Sequence, residues 1–369
     1  TFIILLGYIG YIYGVINLPG ITYTVYSYLN VFMAFYLLIH FSLKFVGQKK
    51  IEFRILYLMV AFVLYPTIIS FARGRLTLGS LSDICIWPLL LLLSYCEERE
   101  RKLHTDRHQF LIVSIVAIFS LLCIPLIIRN LAGQSLEGLV IRPTYFCLSL
   151  LPLVLCYLKG NKQIVTILMI SATIFSSLKR TGIAALVVSL MCFYILSLYV
   201  TSDSKSKIRR ILSILISGTS LLIITFIFAA KLDVNVFSRF ANIQEDGGSG
   251  RFAIWGYILM LFRNGTWSER LFGHGYHAVG SLLLPGVMDG RSILAHNDFV
   301  EYIYDYGIIG TVCYILFVLM IIKKICEQFR SRNSFLPSDC TAFVIFISIS
   351  LFSYGVVQST TIKDRKSVV

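Results

Sequence analysis

The chain has 369 residues, 57% hydrophobic and only 14% charged, with a mean hydropathy of +0.80. Soluble domains are typically about 45–50% apolar and about 25% charged, so this composition excludes an ordinary soluble enzyme, a secreted disulfide scaffold and a disordered chain. The formal net charge is +14, which in a membrane chain reports topology before it reports a nucleic-acid partner.

A transmembrane helix takes roughly 20 residues. Apolar runs predict eleven spans, at about 2–17, 25–46, 55–71, 81–96, 110–128, 144–158, 163–178, 183–200, 211–230, 302–322 and 339–358. The connectors alternate in charge. Lys44–Arg54, Arg99–Arg107, Lys159–Lys162, Lys205–Arg210 and Lys323–Arg332 hold eighteen of the 33 Lys and Arg. The short connectors between them hold six: Arg73, Arg75, Arg129, Arg142, Lys179 and Arg180. The basic set is therefore predicted to be cytoplasmic, and residues 231–301 form a large external loop between the ninth and tenth spans. An odd count leaves Lys363, Arg365 and Lys366 outside, against the trend, so the total is eleven or twelve. The chain opens at Thr1 inside an apolar stretch without an initiator Met, as a piece of a longer protein would. The nine Cys avoid the external loop and mostly fall inside apolar runs, which is not a disulfide framework. The expectation is one all-α, polytopic membrane domain over 1–369.

The external loop carries the polar motifs. A flexible Gly247-Gly248-Ser249-Gly250 stretch leads into Arg251–Phe262, where Trp255, Ile258, Leu259 and Phe262 recur at helical spacing. That pattern predicts a helix lying on or dipping into the outer membrane face. A Phe272-Gly273-His274-Gly275 turn follows, and Asp298-Phe299-Val300-Glu301 looks like a capping-box start for the tenth span.

Location limits the chemistry. Nucleotide sugars and ATP are cytoplasmic, so an external site needs a donor that is already activated, and a lipid-linked diphosphate meets that need. Its departing phosphates require a divalent metal or several arginines, whose planar forks bind phosphate oxygens bidentately. The outer side offers Arg142, Arg180 and Arg251, each beside a span end or the outer helix. The bland alternatives are equally plain. Arg180, in Ser176-Ser177-Leu178-Lys179-Arg180-Thr181-Gly182, also reads as a snorkelling cation. Arg251 also reads as a solvated loop charge, and Arg73, Arg75 and Arg129 as surface cations. His296, in Ala295-His296-Asn297-Asp298, can take a proton from a hydroxyl near neutral pH, or can merely precede a helix N-cap at Asn297 or Asp298. Glu301 and Asp305 share a helix face with Asp298 one turn earlier, and could hold the His, pair with an Arg, or cap. His274, His277 and His296 could form a three-His zinc site, a weaker reading because the first two sit on a Gly loop. There is no P-loop, GxGxxG or Gly-x-Ser-x-Gly.

Ser249-Gly250-Arg251-Phe252-Ala253-Ile254-Trp255 resembles the Gly-Arg…Trp element of the O-antigen ligase and polymerase superfamily. The family's Gly-x-Gly turn, His-Asn-x-(aromatic/Leu)-Glu element and Gly-Ile-Ile-Gly step follow in order. They appear here as Gly273-His274-Gly275, His296-Asn297-Asp298-Phe299-Val300-Glu301 and Gly307-Ile308-Ile309-Gly310. Upstream, Ser177–Gly182 looks like the family's Ser/Arg/small element, and Arg142-Pro143-Thr144 more loosely like its Arg-containing step.

The resemblance implies a class C glycosyltransferase-like fold in a bacterial inner (plasma) membrane, with the site on the periplasmic or external face. It implies metal-independent, inverting transfer without a cofactor, from an undecaprenyl-diphosphate-linked oligosaccharide donor to a glycan acceptor. Membrane lipid and a chain-length regulator are further expected partners, and nucleic acid is not. By matching motif, Arg180 and Arg251 would bind the donor diphosphate, with Arg142 as a third cation, and His296 would orient or deprotonate the acceptor hydroxyl. Glu301 is expected beside the substrate. The run Asp298–Gly307 looks more like a polymerase of surface polysaccharide (O-antigen, capsule or exopolysaccharide). The alternatives are a ligase that passes glycan to lipid A–core or protein and, less well matched, a lipid-linked oligosaccharide flippase. A flippase needs polar residues deep in a cavity, whereas the polar residues here gather at one face.

Overall fold

A computed structural model describes residues 23–46, 53–98, 109–117, 120, 137–176, 180–200, 208, 251–283, 295–331 and 336–352. These are helical. In chain order they form α1 (Tyr23–Val46), α2 (Phe53–Met59), a π turn (Val60–Leu64), α3 (Tyr65–Ala72) and α4 (Leu78–Glu98). After a helical stretch at 109–117 come α5 (Glu137–Tyr157), α6 (Gly160–Ser176) and α7 (Arg180–Val200). Next come α8 (Arg251–Asn264) and α9 (Trp267–Phe272), and the chain continues with α10 (Asp298–Ser331) and α11 (Pro337–Phe352). The spans predicted at 2–17 and 211–230, and most of 110–128, lie outside the described residues.

Among the described residues, two helices, Thr181–Val200 and Asp298–Arg330, are long and apolar enough to cross a membrane, and five shorter apolar helices accompany them. Large apolar side chains face outward along several of them. Leu43, Phe53 and Phe71 are each at least 70% exposed. Water would penalise such a surface and lipid would not.

The described helices fall into two compact units. The first holds α1 to α4, α8, α9 and α10 as far as Leu319. Here α1 packs along α4, with Met33, Ala34, Leu37 and Phe41 forming its buried stripe. The helix from Phe53 to Ala72 is interrupted by one π turn, where the Tyr65 N–H reaches back to the Val60 carbonyl. Pro66 follows immediately. It has no N–H for the carbonyl four residues earlier, and a π turn shifts the hydrogen-bond register around such a defect. Phe62 in this turn is buried against the rings of Trp87, Tyr302 and Phe317. Tyr57 and Tyr65 donate their hydroxyls to the carbonyls of Cys313 and Tyr306, tying this helix to α10.

The second unit holds α5 to α7 and the end of α10 with most of α11. Within it α5 packs on α6, and Leu148, Leu151, Val154, Ile167, Ile170 and Ile174 are almost wholly buried. Among the described residues, no disulfide joins Cys85, Cys147, Cys156, Cys192, Cys313, Cys326 or Cys340.

Three predicted details change. The helix expected from 144 begins at Glu137, so Arg142 lies on α5 and not in a connector. Arginine is a good helix former, and a dip in hydropathy does not end a helix. The span expected at 302–322 belongs to a helix from Asp298 to Ser331 that is broken at Gly307. Its basic end stays helical, with Lys323 Nζ 3.9 Å from Glu327 Oε1. The apolar stripe of Arg251–Phe262, expected on the membrane face, is covered in part by protein, while Leu259, Phe252 and Met260 on the same helix stay exposed. Ile258 is fully buried with Ala278, Val279, Ala295 and Tyr304, and Ile254, Trp255, Leu261 and Phe262 pack around them. Burying one such isoleucine is worth about 1.5–3 kcal/mol.

Candidate active site

His296 has φ +52°, a left-handed backbone in a residue with a Cβ. Such positions cost energy and persist only where neighbours enforce them. Both neighbours do so here. The buried Ala295 accepts a 2.6 Å hydrogen bond at its carbonyl from the Trp255 indole N–H. Its own N–H donates to Glu301 Oε1 at 3.2 Å. On the other side Asn297 is the N-cap of α10, its Oδ1 accepting from Phe299 N at 3.0 Å and Val300 N at 3.2 Å. Asn297 thus fills the cap role that the sequence left open between it and Asp298. His296 itself is half-buried, between two residues whose positions are fixed.

Glu301 is buried, and its Oε1 accepts from the Ala295 N–H in the His296 loop. Asp298 and Asp305 are also buried. Asp298 Oδ2 accepts from the Tyr314 hydroxyl at 3.4 Å, and Asp305 Oδ1 accepts from Val279 N at 3.0 Å.

Arg251 opens α8 one turn before Trp255, so the helix that carries the arginine also fixes the residue before His296. The Arg251 guanidinium is exposed and donates at 2.7 Å to the carbonyl of Phe352, the last residue of α11. The C-terminal end of a helix carries partial negative charge, which suits a guanidinium. Arg251, His296 and Glu301 all belong to the first unit. Arg180, the first residue of α7, and Arg142, on α5, belong to the second.

The Gly-x-Gly turn and the Gly-Ile-Ile-Gly step prove to be two halves of one device. At Gly307 φ is +64° and ψ −166°, so α10 stops and restarts. The carbonyls before a helix end lack intrahelical donors. They are supplied from outside. His274 N donates to Tyr304 O at 3.2 Å, Gly275 N to Asp305 O at 2.7 Å, and the Tyr65 hydroxyl to Tyr306 O at 2.8 Å. Gly273 and Gly307 touch, and a Cβ on either would strike the other segment's backbone. The His274 ring stacks on Tyr304 at 4.3 Å, and its Nε2 lies 3.7 Å from Glu269 Oε1. Among the described residues no three His, Cys, Asp or Glu are grouped to hold a metal. Thr266 and Glu269 form a reciprocal capping box at the start of α9. The N–H of Thr266, then its hydroxyl, hold the Glu269 carboxyl below the usual carboxylate range.

Sequence reasoning missed the surroundings of Arg73 and Arg75, read there as surface cations. Both flank Gly275. A Cβ there would lie 3.3 Å from Arg73 Cβ and 3.3 Å from Arg75 Cδ. Arg73 Nη2 donates to Ser268 Oγ at 3.3 Å and Arg75 Nη2 to Ser281 Oγ at 3.0 Å. Below them the buried Tyr276 donates its hydroxyl to Asp83 Oδ2 at 2.8 Å and its N–H to Ser70 Oγ at 3.0 Å. Burial first, and then the Asp83 charge, push the Tyr276 phenol well above its usual range. The one available signal was the Arg73-Gly74-Arg75 pair on a connector where the positive-inside pattern disfavours cations.

Residues 164–315 match a family model described as O-antigen ligase. The match includes Arg180, Arg251, His296 and Glu301, and leaves out Arg142, Arg73 and Arg75. No curated protein and no solved structure matches the chain.

Proposed function

We propose, for a chain that belongs to the O-antigen ligase and polymerase superfamily through residues 164–315, that its reaction is polymerisation of surface polysaccharide from undecaprenyl-diphosphate-linked repeat units. The family carries glycosyltransferase-like activity on lipid-linked glycans and is membrane-associated, and the apolar helices agree with that setting. On this reading the enzyme is multi-pass in the bacterial plasma membrane and works on its external face. The observation that carries it is His296. A strained, doubly anchored histidine stands beside the helix that Arg251 opens. That is what a positioned base next to an anion-binding cation requires.

In the proposed reaction the acceptor sugar hydroxyl attacks the anomeric carbon of the donor glycan. The bond from that carbon to the diphosphate oxygen breaks with inversion, and the hydroxyl proton passes to His296. Arg251 and Arg180 neutralise the departing diphosphate, with Arg142 as a further cation, and no metal takes part. Glu301 and Trp255 position the histidine through Ala295. Arginines already in place stabilise the leaving charge without reorganisation.

The matched family's description favours a second reading, ligase. Purified protein incubated with lipid-linked repeat units alone separates the two. A ladder of products means polymerase. Transfer only after lipid A–core is added means ligase. No covalent product with either overturns both and leaves transport.

A further inference from the structure

We propose that Arg73 and Arg75 form a second anion cradle, which holds the diphosphate of the lipid-linked acceptor. This rests on the polymerase reading, in which both substrates carry a polyprenyl diphosphate and two such groups must be accommodated at once. Arg251 and Arg180 answer for the donor, and nothing so far answers for the acceptor.

The geometry of the cradle is specific. Arg73 closes α3, Arg75 follows Gly74, and their side chains pass on either side of Gly275. A glycine is needed there because any larger residue would press on both arginine stems. Each guanidinium is anchored by one serine hydroxyl, Ser268 or Ser281. These acceptors are neutral, so they orient the forks without cancelling charge, and a guanidinium has five donors to offer. Among the described residues neither arginine has a carboxylate within ion-pair distance. Glu269 lies close enough to Arg73 to feel its charge, and it is also engaged by the Thr266 N–H and hydroxyl and by His274. Both arginines are half-buried, neither sealed in nor free in solvent. The connector that carries them is bonded through Ser281 to the segment whose Ala278 and Val279 share an apolar cluster with Ala295, next to His296. Two forks beside a partly open surface suit a dianionic phosphoryl group better than a monoanionic headgroup.

A structural role makes a different forecast. If the two arginines only tie the external loop to α3, removing them harms every reaction of the enzyme equally. The test therefore compares acceptors. Full-length protein in nanodiscs is supplied with lipid-linked donor and either a lipid-linked repeat unit or the same oligosaccharide without lipid and diphosphate. In Arg73→Gln/Arg75→Gln the preference for the lipid-linked acceptor, as a ratio of kcat/KM, should fall at least about tenfold, the loss of one charge-assisted bond to phosphate. Arg75→Lys and Ser268→Ala/Ser281→Ala should each lose part of it. An unchanged ratio in the double arginine variant overturns the proposal.

A binding measurement stands apart from catalysis. Native mass spectrometry of wild type with undecaprenyl diphosphate should count two bound molecules, and the double arginine variant one. Equal counts overturn the cradle even in an active enzyme. Excess phosphatidylglycerol that empties the second site also overturns it, since the pair then holds a headgroup. Absence of transfer by wild type to any acceptor, with two molecules still bound, overturns the polymerase reading and not the cradle.

Discussion

Replacing Gly307 with alanine tests whether the break in α10 is a fixed part of the structure. The backbone there, at φ +64° and ψ −166°, lies in a region that is essentially glycine-only and costs other residues about 1–3 kcal/mol. The new methyl would also meet the Leu271 carbonyl and, at 2.7 Å, Gly273 N. Both are backbone atoms that cannot rotate away, and overpacking of this kind costs about 1–3 kcal/mol more. The sum is about 2–6 kcal/mol, a large part of a typical stability of about 5–15 kcal/mol. Gly74 is the control. Its φ is nearly the same, +67°, but nothing lies within 4 Å of a Cβ placed there. Gly74→Ala should therefore pay only the conformational cost of about 1–2 kcal/mol. Thermal unfolding of both variants in detergent reads the difference, and hydrogen exchange at residues 270–283 should rise only in Gly307→Ala. Equal shifts in midpoint for the two would show that the contact between Gly273 and Gly307 carries no weight.

Further outcomes follow from the same geometry. Trp255→Phe keeps the packing of α8 but removes the donor to Ala295 O, so kcat should fall at least about tenfold with KM little changed; an unchanged kcat separates the indole from the histidine. Arg251→Lys should lower polymer formation because a point charge loses the bidentate fork, and normal long-chain glycan in that variant rejects its diphosphate role. Thr266→Ala should cost about 1 kcal/mol through the lost cap. Because Glu269 has a lowered folded-state pKa, its bonus is full above the ordinary carboxylate range and lost as pH falls through the folded value. The gap in melting midpoint between wild type and Thr266→Ala should accordingly narrow in acid. Activity should survive EDTA; loss on chelation with recovery on zinc would restore the three-His reading.

Much of the helical plan is legible in sequence because lipid-sized apolar runs leave few other options. α1, the helix from Phe53 to Ala72, α4, α6 and α7 all lie within a few residues of their predicted bounds. The spacing of Trp255, Ile258 and Phe262 predicted α8, but an apolar stripe does not say what covers it, and loop residues Ala278, Val279 and Ala295 do. The break at Gly307 was hidden because a lone glycine inside a helical pattern is commonly tolerated. Its donors, His274 and Gly275, lie some thirty residues upstream, beyond any local signal. Glu301 was legible as a residue near the helix start, but its bond runs back to Ala295 N and not to a capping position. For Arg73 and Arg75 the partners are serines about two hundred residues away, and only folding brings them into register.

The amides of His274, Gly275 and Val279 are all consumed by α10. Peeling this stretch away would strand two carbonyls and a carboxylate at once, at about 1–3 kcal/mol for each uncompensated group. The strip from Gly273 to Leu282 is therefore masonry and not a door. A lipid-linked glycan has to pass it by a route that leaves this wall standing.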